Sequence, residues 1–122
     1  MPQRVLLIED EANIAEAMRF LLARDGWAVD VQTDGAAGLA ILRASPPDLV
    51  ILDLMLPGLS GLEILTALRA SPATAHLPVI MLTAKGQGRD RDAATRAGVT
   101  RFMTKPFANA DLLAQVRAVM AV

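Results

Sequence analysis

The sequence has no cysteine, no long apolar run and almost no net charge, since 12 basic side chains balance 13 acidic ones. The absence of cysteine excludes disulfide bonds, thiolate metal sites and a cysteine nucleophile. A formal charge of -1 provides no overall basic surface for nucleic acid. Charged residues or prolines interrupt every apolar run before it reaches the length of a membrane span. We therefore expect a domain that neither binds nucleic acid directly nor enters a membrane.

The amino terminus also lacks the features of a secretory signal peptide. It reads MPQRVLLIED, without a long apolar region or a cleavage site of small residues. The 122 residues, of which 53% are hydrophobic, are sufficient to form one core. We therefore expect a cytoplasmic protein in which residues 1–122 form a single domain.

Short aliphatic runs alternate with segments of helical spacing along the chain. The five runs that predict strands are Val5 to Ile8, Ala28 to Thr33, Leu49 to Leu52, Val79 to Leu82 and Arg101 to Thr104. Between them, apolar residues recur three or four positions apart, which predicts five helices. Ser60 and Glu63 fit a capping box, Asp34 fits an N-cap, and Gly26 and Gly98 fit helix ends.

Alternating strands and helices predict a doubly wound α/β sandwich, in which helices cover both faces of a parallel sheet. The weakest helical pattern is that of residues 84–97, which has a thin apolar stripe and contains Gly86 and Gly88. We expect this helix to be the most mobile element. In sheets of this kind, ligands bind beyond the carboxyl ends of the strands, so the residues at those ends are the candidates for a site.

Polar residues stand at the ends of four predicted strands. They are Glu9 and Asp10, Asp53, Thr83, and Lys105. Asp53 interrupts the apolar run VILDLML, where an unpaired charge is costly, and Lys105 is a candidate partner in a purely structural ion pair. The acidic run Glu9 to Glu11 has a second interpretation as acids at a helix N-terminus. The single histidine, His76, lies in a polar loop and is expected to be solvated.

Taken together, these residues favour phosphoryl chemistry. Crowded carboxylates repel one another unless a cation joins them, and two or three carboxylate oxygens suit Mg²⁺, which is often shared with a phosphate. Asp53 is then a carboxylate nucleophile that forms an acyl phosphate. Lys105 and Mg²⁺ neutralise the phosphoryl oxygens, and Thr83 supplies a hydroxyl donor.

The order of these motifs resembles that of the receiver domain of two-component response regulators. The matching parts are Glu9-Asp10, Asp53, Thr83-Ala84, Lys105-Pro106-Phe107, and the segments DLVILDLMLPGLSGLEIL and FMTKPFANADLLAQV. The resemblance covers essentially the whole chain. It implies a flavodoxin-like (βα)5 fold with a five-stranded parallel sheet in the order 2-1-3-4-5.

The resemblance also implies a metal site with specific ligands. Asp53 would be the phosphoacceptor and a ligand of Mg²⁺ or Mn²⁺. Asp10 would be a direct ligand, Glu9 would act through water, and the backbone carbonyl of Met55 would complete the protein ligands.

The switch residues follow from the same resemblance. Thr83 would be the switch hydroxyl, Phe102 the switch aromatic and Lys105 the phosphoryl counter-ion, with a cis bond between Lys105 and Pro106. Phosphorylation would favour an arrangement in which Thr83 moves inward and Phe102 follows. The surface of the fourth helix, fifth strand and fifth helix would change as a result.

The expected partners are those of the family. A histidine kinase or phosphotransfer protein would supply the phosphoryl group, docking near residues 12–15 and Pro106-Phe107. The target would be a downstream protein or an output domain outside this chain, and we slightly favour a stand-alone receiver. Many winged-helix regulators have two acidic residues before the switch aromatic for dimer contacts. This chain has Thr100 and Arg101 there, so we expect a monomer or weak dimer.

Two alternative functions remain. A phosphohydrolase of the haloacid dehalogenase type would have a second aspartate two residues after the nucleophile, where this chain has Met55. A receiver-like binding module would not be phosphorylated at all. The receiver interpretation is favoured because every residue of the site is present, and it implies a protein that catalyses only its own phosphorylation and dephosphorylation.

Overall fold

The computed structural model describes residues 2–84 and 88–121 and contains five strands and five helices in strict alternation over those ranges. The strands are β1 (Arg4–Ile8), β2 (Ala28–Gln32), β3 (Leu49–Asp53), β4 (Val79–Thr83) and β5 (Arg101–Thr104). The helices are α1 (Ala12–Arg24), α2 (Gly35–Ala44), α3 (Gly61–Ala70), α4 (Gly88–Ala97) and α5 (Asn109–Met120). None of these described helices has the length and apolar character needed to span a bilayer.

The five strands form one parallel sheet in the order β2-β1-β3-β4-β5, as predicted. Successive side chains of a strand point to opposite faces, so each inner strand contributes to two cores. Val5 and Leu7 of β1 pack with α1 and α5, whereas Leu6 and Ile8 pack with α2, α3 and α4. Because helices cover both faces, residues 5–8 of β1 and 49–52 of β3 are all apolar and do not alternate with polar residues.

The predicted helix signals are confirmed. The Asp34 side chain accepts a backbone N–H from the first turn of α2. Ser60 and Glu63 form the reciprocal capping box at the start of α3. Gly26 and Gly98, after α1 and α4, have φ values of 98° and 96°, a conformation in which a side chain is strained.

Helix α4 was predicted over residues 84–97 and is described over Gly88–Ala97. Ala84 is not helical, and the predicted positions 85–87 lie outside the described residues. Ala94 is its one buried residue, in agreement with the thin apolar stripe. The high mobility that we expect of α4 stays a prediction.

Helix α3 approaches the end of β3 so closely that only glycine fits at Gly61. A Cβ atom there would lie 2.3 Å from the carbonyl oxygen of Asp53 and 2.8 Å from Cα of Leu54. The Gly61 amide donates a hydrogen bond to the Leu54 carbonyl at 3.0 Å. These contacts hold the carboxyl end of β3 against the first turn of α3.

We predict that Gly61→Ala destabilises the domain by about 1–3 kcal/mol, because the new methyl group collides with backbone that cannot yield locally. Urea unfolding measures the change. The control is Gly88→Ala, since no atom lies within 4 Å of a Cβ built at this helical position. That variant should be neutral or slightly more stable. Equal stabilities of the two variants would contradict the close packing at Gly61.

Candidate functional site

Four neighbouring strands bring their carboxyl ends together, and each delivers a polar residue to this edge of the sheet. Glu9 follows β1, Asp53 ends β3, Thr83 ends β4, and Lys105 follows β5. Three of these side chains are buried and Lys105 is half-buried. The structure therefore brings together the polar residues that the sequence placed at strand ends. His76 is exposed in the loop before β4, at the amino end of that strand and therefore away from the site.

Both oxygens of the Asp53 carboxylate accept hydrogen bonds. Oδ2 accepts from Nζ of Lys105 at 2.8 Å, and Oδ1 accepts from the backbone N–H of Met55 at 3.0 Å. The Asp53 side chain is 8% exposed, so the charge would be costly without these partners. The ion pair between Asp53 and Lys105 that the sequence allowed is present, with a backbone donor in addition.

Glu9 is fully buried and shares the Lys105 ammonium group with Asp53. Oε1 of Glu9 accepts from Nζ of Lys105 at 2.5 Å, whereas Oε2 is buried without a hydrogen-bond partner among the described residues. Burial, followed by interaction with Asp53, raises the pKa of Glu9 to about 8 against the opposing effect of Lys105. Burial lowers the pKa of Lys105, but its bonds to both carboxylates outweigh this and hold that pKa above its usual value.

The carboxylates of Glu9, Asp10 and Asp53 form a cluster suited to a divalent cation. Each offers one oxygen, and the three oxygens lie within 4.8 Å of one another. Asp10 is exposed, which leaves space for water ligands, and Oε2 of Glu9 has no hydrogen-bond partner among the described residues. This donor set fits Mg²⁺, which prefers oxygen ligands and keeps several waters. Glu11 is not in the cluster but stands at the N-cap of α1.

The end of β5 aims Lys105 at this cluster. The Lys105 amide donates to the Thr83 carbonyl at 2.7 Å, which continues the pairing between β4 and β5 up to the site. The bond between Lys105 and Pro106 is cis, in agreement with the resemblance to receiver domains.

The two candidate switch residues lie on the same face of the sheet. Phe102 pairs with Met81 in the register of β4 and β5, and Thr83 is two residues beyond Met81, so both point towards α2, α3 and α4. The Thr83 hydroxyl lies 3.5 Å from the Met103 carbonyl oxygen and 3.5 Å from Oγ1 of Thr104. Both distances are at the outer limit of a hydrogen bond, so the hydroxyl is only weakly held by β5.

Sequence reasoning missed two contacts that involve the site. The sequence indicates Asp53 as the partner of Lys105, and in the structure Lys105 also binds Glu9. The guanidinium of Arg91 in α4 lies 4.8 Å from the centre of the Phe102 ring. Neither contact could be predicted from the sequence, because local sequence patterns do not indicate which distant element a side chain reaches.

A groove of about 430 Å³ opens beside Lys105, between α1 and the loop after β5. Its apolar lining includes Ile14, Met18 and Leu21 of α1 and Pro106 and Phe107 of the loop. The surface is therefore adjacent to the carboxylate cluster and suited to an apolar partner.

Residues 5–117 match the response regulator receiver domain family. The sensory transduction protein RegX3 of Mycobacterium tuberculosis is 40% identical over 116 residues, which is 95% of this chain and 50% of that protein. The phosphate regulon transcriptional regulatory protein PhoB of Escherichia coli is 38% identical over 120 residues, which is 98% of this chain and 52% of that protein. The chain thus spans about half the length of the curated relatives that it matches.

Solved structures have the same fold as this chain over nearly its whole length. A putative response regulator from Chloroflexus aurantiacus is 30% identical, with a TM-score of 0.93 and full coverage of both chains. The chemotaxis response regulator CheY4 of Vibrio cholerae is 26% identical, with a TM-score of 0.92 over 98% of this chain and 100% of that one. By sequence and by fold, this chain belongs to the response regulator receiver domain family.

Proposed function

We propose that this domain is a cytoplasmic signalling switch that accepts a phosphoryl group on Asp53 from a histidine kinase or phosphotransfer protein. Receiver domains of this family are in general signalling modules and not enzymes. The observation that carries the proposal is the position of Asp53, whose carboxylate is held by Lys105 and by a backbone N–H within a cluster of three acids. Such an arrangement suits a nucleophile for phosphoryl transfer.

The chemistry is a direct transfer between the donor and Asp53. A carboxylate oxygen of Asp53 forms a bond to phosphorus, and the P–N bond of a phosphohistidine breaks, with its electron pair going to the imidazole. The product is an acyl phosphate. Lys105, already 2.8 Å from Asp53, neutralises charge on the transferred group and orients it.

We assign the divalent cation, Mg²⁺ or Mn²⁺, to Glu9, Asp10, Asp53 and the backbone carbonyl of Met55. The three-carboxylate cluster and the partnerless Glu9 oxygen support the first three ligands. When bound, the cation supplies positive charge to the phosphoryl oxygens.

Thr83 and Phe102 act as the switch in this proposal. The Thr83 hydroxyl is held only loosely by β5, so little energy opposes its rotation towards a phosphoryl group on Asp53. Phe102 lies on the same face and follows it. Moving a two-state equilibrium from 1:99 to 99:1 requires about 5.5 kcal/mol, which a few charge-assisted hydrogen bonds at the phosphoryl group are able to supply.

The groove beside Lys105 is the proposed docking surface for the phosphodonor. It lies along Ile14 and Met18 of α1 and Phe107, close to the residues at which we expected docking from the sequence. A donor bound there would present its phosphoryl group near Asp53. The downstream target is a protein or an output domain, contacted through the surface of α4, β5 and α5, and the domain itself does not bind nucleic acid.

Neither alternative function has comparable support. A haloacid dehalogenase-type hydrolase needs an acid two residues after the nucleophile, and Met55 carries no titratable proton at that position. Met55 is also 60% exposed, so this side chain does not form the wall of a closed substrate pocket. A binding module that is not phosphorylated would not need three acids and one lysine together at the carboxyl ends of the strands.

The first prediction tests the phosphoacceptor. The wild-type domain, mixed with Mg²⁺ and acetyl phosphate, should gain the mass of one phosphoryl group, and Asp53→Asn should gain none because an amide oxygen is a poor nucleophile. Intact-mass spectrometry is the measurement. Asp48→Asn is the control, since Asp48 is an exposed aspartate just before β3. Labelling of the Asp53→Asn protein would refute the assignment, and turnover of acetyl phosphate without an adduct would favour the hydrolase.

The second prediction concerns the cation and its dependence on pH. The pKa of about 8 at Glu9 means that this ligand is largely protonated below that pH, so Mg²⁺ affinity should rise as pH increases from about 6 to about 9. Glu9→Gln should weaken this pH dependence, whereas Asp10→Ala should weaken binding by about tenfold or more throughout. Calorimetric titration of Mg²⁺ is the measurement. Equal affinity in the wild type and Asp10→Ala would exclude the proposed ligand set.

The third prediction concerns self-association. Arg101 is exposed on β5, the edge strand of the sheet, and a two-fold contact through this strand would place like charges near each other. Light scattering should therefore give the mass of a monomer both with and without beryllofluoride, a phosphoryl analogue. The prediction would be contradicted by a dimer that forms with beryllofluoride, is lost in Arg101→Ala and persists in Arg43→Ala, a variant on α2.

A further inference from the structure

Helix α4 has fewer buried residues than the other described helices, and one ring contact links it to the proposed switch. Of its described residues, Ala94 alone is buried. Arg91 is exposed, and its guanidinium lies over the ring of Phe102 at 4.8 Å from the ring centre. Within residues 2–84 and 88–121, Arg91 forms no ion pair that would compete for this group. The contact with Phe102 is therefore its main side-chain interaction there.

The ring of Phe102 is closer to its arginine and less exposed than the other ring that an arginine covers. Arg24 also lies over an aromatic ring in α1, but at 5.6 Å, and that ring belongs to Phe20, which is 59% exposed. Phe102 is half-buried and packs against the core beneath α4. A cation over an aromatic face gains more when the pair is shielded from water. The contact thus has the geometry and the environment to hold the ring in place.

The position of the Thr83 hydroxyl indicates which of the two states of the proposed switch contains the contact between Arg91 and Phe102. The Thr83 hydroxyl is directed at β5, at 3.5 Å from the Met103 carbonyl oxygen, and among the described hydrogen bonds none joins it to Asp53. This is the arrangement expected without a phosphoryl group. The stacking of Arg91 on Phe102 therefore belongs to the resting state.

We propose that Arg91 is a positioning residue that holds Phe102 in its resting place and so sets how readily the domain is activated. This inference rests on the proposed function and names a regulator of the same switch. When Thr83 turns towards the phosphoryl group and Phe102 follows inward, the ring leaves the guanidinium. A contact made in one of two states shifts the equilibrium towards that state by its full free energy.

The test is the affinity of the domain for beryllofluoride in the presence of Mg²⁺. Arg91→Ala should bind the analogue about 2- to 5-fold more tightly than the wild type, because the resting state loses the ring contact. Arg91→Lys should be intermediate, since it keeps the charge but not the planar group. Arg89→Ala removes the same charge from the same helix, with no described ring contact, and should leave the affinity unchanged.

A double-mutant cycle with Phe102→Leu separates positioning from general electrostatics. In the Phe102→Leu background there is no ring to hold, so Arg91→Ala should have no further effect on the affinity. The inference is overturned if Arg91→Ala leaves the affinity unchanged or weakens it, if Arg89→Ala has the same effect, or if the effect persists without the ring. Lower stability of Arg91→Ala with unchanged affinity would also overturn it.

A readout without phosphate keeps this inference distinct from the proposed function. The chain has three phenylalanines, so fluorine NMR of protein labelled with fluorophenylalanine gives three signals, and Phe102→Leu identifies the one from position 102. Arg91→Ala should shift that signal, whereas Arg89→Ala should not. If the wild type fails to bind beryllofluoride, the proposed function fails. If the Phe102 signal is the same in the wild type and Arg91→Ala, the positioning role fails.

Discussion

The site depends on one ammonium group placed between two buried carboxylates. Lys105 reaches both Glu9 and Asp53, and the buried charge of Asp53 would be strongly unfavourable without this partner and the Met55 amide. One lysine does not balance two carboxylates and the adjacent Asp10. Burial, followed by interaction with Asp53, raises the pKa of Glu9, and the excess negative charge makes a cation favourable at the cluster. The ion pair therefore supports the buried strand end and leaves the site ready for a metal and a phosphoryl group.

The parallel sheet places the proposed switch next to the carboxylate cluster. Four adjacent strands end at the cluster, and the two that contain the proposed switch residues, β4 and β5, lie side by side. Thr83 and Phe102 share a face of these strands, so under the proposed function a change at the carboxylates would need to pass over only two residues in register to reach α4. The surface proposed to respond includes α4, which has a single buried residue, and an element with few buried contacts needs little free energy to move.

Two arginines of this chain lie around the surface of α4, β5 and α5. Arg101 on β5 donates to Gln115 of α5 at 3.2 Å, and Arg91 covers the switch aromatic. The first contact places a positive charge at the edge of the sheet, and the second couples a surface side chain to the core. Receivers that share the phosphorylation site are thus able to differ in how easily they switch and in what they contact, because these residues lie outside the carboxylate cluster.

The sequence alone determined the alternation of elements, the caps at Asp34 and Ser60, and the polar residues at the strand ends, because each depends on local spacing and composition. It did not determine which face of α1 is buried, since Leu21 and Leu22 are equally apolar and only packing on the sheet selects Leu22. The second partner of Lys105, 96 residues away, and the ring beneath Arg91 were likewise decided by the tertiary structure. Contacts between distant elements depend on how helices and strands are placed relative to one another, and no local pattern encodes that placement.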